Sequence, residues 1–345
     1  MMLIPQISPI ADAALSARLK AAIDNKTKPL GSLGRLETLA LQIGLIQQTV
    51  DVTVERPAMV IYAADHGVTD ERISLYPPCV TRQMVENFLA GGAASSVLAR
   101  QNGFEVHIVD GGVDHDFGAR PGLIDCKVRR GSRNFVNEPA MTRAECELAM
   151  QRAMTVVDGL AGNVVAFGEK GIGNTTPSAA LMHLMTGIPL AECVGAGTGL
   201  NRDGIAHKQR VIERALARHG TPQDPMDIMA TYGGIEIAMM AAGMIQAARR
   251  RMVVLIDGFI ATSALLVALK LRPALIDYCV FSHCSDEHGH TQMLRHLGVE
   301  PLLHLNLRLG EATGCALAMP YVHAAVNFLR QMATFEAAAV SEALA

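Results

Sequence analysis

The sequence predicts an α/β fold built on a parallel sheet, and three observations carry that prediction. Short β-rich runs alternate with longer Ala-, Leu- and Met-rich helical stretches, which is the rhythm of βαβ units. Five candidate strands, at 59–64, 105–109, 164–168, 253–256 and 278–281, each pass directly into polar or glycine-rich residues. A chain of 345 residues, half of them hydrophobic, can bury the large core that such a sheet needs.

Ahead of the first strand, residues 11–49 carry two helical patterns separated by KPLGSLG at 28–34. In the second, Leu36, Leu39, Leu41, Ile43, Leu45 and Ile46 recur at roughly helical spacing. The five strands then continue into Asp65-His66-Gly67, Asp110-Gly111-Gly112, Glu169-Lys170-Gly171, Asp257-Gly258 and Ser282-His283. In open parallel sheets the ligand crevice lies outside the carboxyl ends of the strands. Chance would make two or three such ends polar, because loops are polar. Five predict one acidic, glycine-lined site without naming its chemistry. Beyond Pro320 the pattern is helical again and ends in Ala-rich sequence able to pack beside the N-terminal helices.

Composition excludes several function classes. Net charge is −3, and Arg129-Arg130-Gly131 with Arg133 is too short a basic cluster to grip nucleic acid, so these arginines read as surface charge. The apolar stretch at 252–271 is interrupted by Asp257, Gly258, Thr262 and Ser263, and reads as a buried strand running into a helix, with no membrane span. The seven cysteines are odd in number and form no Cys-x-x-Cys pair, and no charged and apolar leader precedes them. They are expected as reduced, buried thiols of a cytoplasmic protein.

Three glycine-rich elements carry the chemistry. GEKGIGNTTP at 168–177 follows a strand and precedes a helical run at 178–186. Its glycines permit close backbone approach, and Thr175 and Thr176 offer hydroxyls where the helix exposes free N–H groups. It is either a phosphate cradle or a capped helix after a turn. GAGTG at 195–199 precedes Asn201-Arg202-Asp203 and a helix bearing Lys208 and Arg210. Lys208 is either a phosphate countercharge or a solvated side chain. LRLGEATG at 307–314 leads into an apolar helical segment at 315–319. Its Glu311 is either a partly desolvated general base, with Arg308 beside it as an anion binder, or a carboxylate stabilised by the helix dipole. His283, His288 and His290 raise a metal question, but zinc spacing and His-Glu-x-x-His are missing, so structural or substrate-contacting roles are favoured.

These elements together, in order with ADHGV (64–68), NFLAGGAA (87–94), DGF (257–259) and KPLGSLGRLE (28–37), resemble the nicotinate-nucleotide–dimethylbenzimidazole phosphoribosyltransferases of cobalamin synthesis. The resemblance spans most of the chain. It implies a Rossmann-like large domain at 51–324 and a small helical domain from both termini, 1–50 plus 325–345. It also implies a homodimer, although some relatives are heterodimers, and the use of no metal or organic cofactor. Glu311 would be the general base, with Glu169 a second acidic group. Gly171, Gly173, Asn174, Thr175, Thr176, Lys208 and Arg308 would surround nicotinate mononucleotide. Tyr76, Met84, Lys170 and Leu309 complete the implied substrate contacts, with dimethylbenzimidazole or a related aromatic base as acceptor.

The chemistry suits these residues. The pyridinium nitrogen of nicotinate mononucleotide leaves C1′ as a neutral pyridine and needs no general acid. The attacking benzimidazole must lose its N–H proton, which a carboxylate can take. Glu169 could stabilise oxocarbenium-like charge at C1′. Lys170 departs from the apolar residue usual at that position. It is expected either near the acceptor, where it would pair with Glu169 or assist a phenolate-like base, or in a solvent-facing salt bridge with Glu169. Two other readings are weaker. A nucleotide-binding partner subunit has no reason to keep both glutamates, and a dehydrogenase lacks Gly-x-Gly-x-x-Gly after the first strand.

Overall fold

The computed structural model describes residues 3–341. Among them, six strands form one sheet: β1 (Ala58–Ala64), β2 (Glu105–Gly112), β3 (Leu123–Asp125), β4 (Val164–Lys170), β5 (Val253–Ile256) and β6 (Cys279–Phe281). All pairings are parallel and the order is β3-β2-β1-β4-β5-β6. The chain builds outward from β1 to β3, then returns to β4 and builds the other way. The carboxyl ends of β1 and β4 therefore bracket the topological switch point, where an α/β sheet opens a crevice.

Burial on both faces explains the strand sequences. Every residue of β1 is buried, so Ala58–Ala64 reads as a continuous apolar run with no alternation. Phe167 of β4 meets Gly243 in the helix Ile235–Arg249, which lies over the centre of the sheet. The next residue, Gly168, points to the opposite face and meets the backbone of Glu311 and Ala312. Helices thus cover both faces. Local signals start several of them. Thr142 and Glu145 form a capping box for Arg143–Asp158, and Asp224 caps Pro225–Tyr232.

The two ends of the described chain lie together. Lys26 Nζ donates to the Met332 carbonyl at 2.8 Å, and Thr27 N–H donates to Ala333. The helix Thr313–Gln331 packs on Arg35–Gln47 and runs through Pro320 and across position 324 without a break. The KPLGSLGRLE turn is closed by buried Lys28, 2.8 Å from Glu37, which also accepts the Leu33 N–H.

The structure corrects the expected elements in four places. β3 was missed because three half-exposed edge residues carry no periodic signal. Asp110-Gly111-Gly112 is strand, because its pairing with β1 continues to Ala64. β4 likewise extends through Glu169 and Lys170. Tyr278 closes a 3-10 helix, Pro273–Tyr278, so β6 begins one residue later. All seven cysteines are free thiols, but Cys79 is exposed and Cys284 half-buried, against the expectation of uniform burial. Cys79 is drawn to the surface because it opens the helix Cys79–Leu89 directly after Pro77-Pro78. Among the described residues, no helix is long and apolar enough to cross a membrane.

Candidate active site

At the carboxyl ends of β1, β4 and β5 lies a cleft of about 410 Å³. Its lining draws on segments far apart in sequence: Ile73 to Met84, Phe167 to Thr175, Gly197 and Thr198, Asp257 to Ala261, Ser285 and Glu287, and Arg308 to Glu311. Of the residues expected at the site, Tyr76, Met84, Glu169, Lys170, Gly171, Gly173, Asn174, Thr175, Arg308, Leu309 and Glu311 line it. Lys208 lies behind the wall and reaches it through Thr175. Thr176 does not line the cleft. It is fully buried in the helix Thr175–Thr186, and its hydroxyl has no hydrogen-bond partner.

The inner end is built on β4. Three consecutive residues, Gly310, Glu311 and Ala312, adopt positive φ (80°, 61° and 58°). Such a run is costly for the two non-glycine residues and persists only where surrounding contacts hold it. Asp257 Oδ1 accepts the N–H groups of Gly314 and Cys315, at 2.8 and 3.3 Å. Gly168 lets this backbone press onto β4, since a Cβ there would lie 2.6 Å from the Glu311 carbonyl carbon. Gly310 admits the Glu169 carboxylate in the same way, at 2.3 Å from where its Cβ would stand. The Glu311 side chain, 2% exposed, ends 3.0 Å from Lys170 Nζ and accepts a long hydrogen bond from Ser95 Oγ at 3.4 Å.

Lys170 lines the cleft, so of its two expected placements only the solvent-facing one is overturned. It is half-buried inside the cleft and pairs with Glu311, so the solvent-facing bridge to Glu169 does not form. Glu169 instead accepts from the Asn174 amide, which is why Asn174 makes no side-chain cap for the helix that follows it. Burial pushes Glu169 up to about 8; Lys170 opposes this, and Glu236, Glu311 and Asp257 reinforce it. At neutral pH Glu169 is chiefly a neutral acid.

The other end centres on Lys208. This lysine is fully buried, and no solvated helix face is involved. Its Nζ donates to Thr175 Oγ1 at 2.6 Å and to the Gly195 carbonyl at 3.3 Å. Burial draws its pKa down to about 8, against the pull of Glu287. Glu287 accepts the Gly197 N–H through both oxygens, at 3.1 and 3.2 Å. The helix Arg202–His219 is capped by its own Asn201, which takes the Gly204 N–H, so its first turn offers fewer free donors than its sequence suggested. Arg308 is exposed and makes one long contact, 3.4 Å, to the Gly197 carbonyl.

Sequence reading placed Asp257 only among the polar strand ends of an acidic site and assigned no role to Glu287, Ser95 or Ser285, and all four touch this machinery. Asp257 carried a usable signal, an acid directly after a buried strand; Ser95 carried none. Of the three histidines of the 283–290 loop, His283 and His290 approach each other, with ring centroids 6.2 Å apart, and His288 stays apart. His288 is exposed, and His283 lies 3.5 Å from Asp257. His290 Nδ1 accepts the Ser285 N–H, so Nε2 bears the proton and donates to Thr262 Oγ1 at 3.0 Å. Burial lowers His290 to about 3, and it acts as a neutral brace for the loop. A second buried pair, His66 and Glu236 at 2.6 Å, backs onto Gly171.

The chain matches a family model described as phosphoribosyltransferase over residues 8–340. A nicotinate-nucleotide–dimethylbenzimidazole phosphoribosyltransferase of Janthinobacterium sp. (strain Marseille) is 61% identical over 332 residues, 95% of this chain and 96% of that one. A protein of the same name from Cupriavidus necator is 54% identical over 345 residues, 99% of each chain. The solved structure of CobT from Thermus thermophilus superimposes with a TM-score of 0.92 at 40% identity, covering 96% of this chain and 100% of that one.

Proposed function

Because the chain belongs to the nicotinate-nucleotide–dimethylbenzimidazole phosphoribosyltransferase family, we propose that it moves the 5-phosphoribosyl group of nicotinate mononucleotide to dimethylbenzimidazole, giving an α-ribotide and nicotinate for the cobalamin nucleotide loop. The observation that carries this reading is Glu311, a buried carboxylate at the inner end of the switch-point cleft, paired with Lys170.

The step balances on this chain's own groups. The lone pair of one benzimidazole nitrogen forms the new bond to C1′. The old C1′–N bond breaks, and its electrons neutralise the pyridinium. The other benzimidazole nitrogen becomes acidic as charge develops, and Glu311 takes its proton. Displacement from the face opposite the leaving group turns a β-nucleotide into an α-product. Glu169, a neutral acid in the free protein, offers its dipole to the oxocarbenium-like charge that develops at C1′. Lys208, Thr175 and the positive end of the Thr175–Thr186 helix dipole form a phosphate end, with Arg308 at its rim. Tyr76, Met84 and Leu309 supply apolar surface for the acceptor ring.

Incubation with nicotinate mononucleotide and a panel of benzimidazoles, phenols and adenine tests this reading. Nicotinate should be released with dimethylbenzimidazole. Release with phenols alone would transfer the assignment to a phenol-type acceptor, and no release with any base would overturn it.

The same reading makes the protein a cytoplasmic homodimer, in which a second copy would cover exposed Tyr76 and Leu309 at the rim; a monomer in equilibrium sedimentation would remove that part. It also treats residues 1–50 with 325–345 as a small helical domain against a large domain at 51–324. The hydrogen bonds from Lys26 to Met332 and from Thr27 to Ala333 support the joining of the two termini, while the helix Thr313–Gln331 crosses position 324 unbroken. Residues 1–2 and 342–345 of that unit lie outside the described residues.

A further inference from the structure

Two buried carboxylates share the inner end of the cleft. Glu169 Oε1 lies 3.4 Å from the Glu311 backbone nitrogen, and both side chains are nearly inaccessible. Neighbouring negative carboxylates in a low-dielectric site cannot both ionise cheaply, and their environments decide which one holds the proton. Strand geometry makes these environments unequal. Gly168 and Lys170 stand two residues apart on β4 and so face the same side, the side on which Glu311 rests against Gly168. Lys170 therefore reaches Glu311, at 3.0 Å, while Glu169 has an amide, Asn174, as its partner.

We propose that Lys170 is a positioning residue that assigns the negative charge of the Glu169–Glu311 pair to Glu311, so that the base is ionised when the acceptor arrives and Glu169 carries the proton. The proposal rests on the reading of Glu311 as the base. The other charged or titratable groups around the pair are Asp257 beyond β5, with His283 beside it, and Glu236 with His66 on the opposite side of β4. On Glu169 itself Lys170 favours the ionised form, but burial, the largest influence, together with the charges of Glu236, Glu311 and Asp257, outweighs it and leaves the proton there. Among the described residues, Lys170 is the cation in salt-bridge contact with the pair.

The test is the pH dependence of kcat/KM for the acceptor. In Lys170→Met, and in Lys170→Gln as a second neutral variant, the acidic limb should move up by about one pH unit or more, since an adjacent cation lowers a carboxylate pKa by about that amount. Lys170→Arg should keep the wild-type limb. A salt bridge that only supports the fold would lower activity or melting temperature at every pH and leave the limb in place. An unshifted limb in a neutral variant that still binds nicotinate mononucleotide overturns the proposal. Carboxyl-carbon NMR titration of the wild-type protein, assigned through Glu169→Gln and Glu311→Gln, needs no Lys170 variant. Glu311 should ionise at lower pH than Glu169, and the reverse order also overturns the proposal. Near-normal turnover in Glu311→Gln would instead sink the reading of Glu311 as the base, whatever Lys170 does.

Discussion

The inner wall of the cleft and its rim use similar residue types under opposite conditions. On the wall and just behind it, Glu169, Glu311 and Lys208 are almost without solvent, and each is held by a named partner. At the rim, Arg308 makes a single 3.4 Å contact, while Tyr76 and Leu309 are 55% and 50% exposed. Desolvation makes every charge on the wall matter more, because the interior screens poorly and an unpaired group there is costly. The rim is solvated, and each contact there contributes little. The wall is therefore expected to supply the chemistry and the phosphate grip, and the rim to shape which acceptor enters.

Substitutions can break that division. The largest effect is expected from Glu311→Gln. Turnover should fall by about 10²- to 10⁴-fold, the range for losing a general base, while calorimetric affinity for nicotinate mononucleotide stays within a few-fold. Lys208→Met should come next. Losing a charged hydrogen-bond donor should raise KM for the nucleotide about 10- to 100-fold and change kcat less. Gly168→Ala forces a Cβ to within 2.6 Å of the Glu311 backbone, so it should reduce both melting temperature and turnover although it removes no polar group. Arg308→Ala should be mildest, a few-fold in KM. If Arg308→Ala matched Lys208→Met, the contrast between wall and rim would be lost.

A pH prediction sharpens the same contrast. Glu169 is raised from an ordinary value of 4.5 to about 8 in the folded chain. A carboxyl raised in this way favours the folded state fully below 4.5, and that contribution is lost as pH climbs toward 8, because the unfolded chain releases the proton first. Thermal melts of the free protein should therefore show stability falling across that window, and Glu169→Gln should flatten the fall. An identical slope in the variant would mean that Glu169 is not protonated in the folded state.

Much of this site was legible from local pattern. GEKGIGNTTP and LRLGEATG each place glycines where the structure needs close approach or positive φ, at Gly168 and Gly310. What stayed illegible depends on distance along the chain. The partner of Lys170 is 141 residues away in sequence, and the Thr175 hydroxyl that meets Lys208 is 33 away. Thr175 and Thr176 are adjacent and chemically alike, yet one faces the cleft and the other is sealed in the core. Helix rotation decides between them, and the dipeptide carries no trace of it.

The sequence by itself determined the parallel sheet, the common edge at which its strands end and the residue types gathered there, because these follow from hydrophobic periodicity and turn chemistry along the chain. Tertiary structure alone decided which lysine is buried, how strongly Glu169 is desolvated and which glutamate Lys170 touches. Those outcomes depend on desolvation and charge pairing among groups brought together only when β4 meets the 310–312 turn, and neither is encoded in any local stretch of residues.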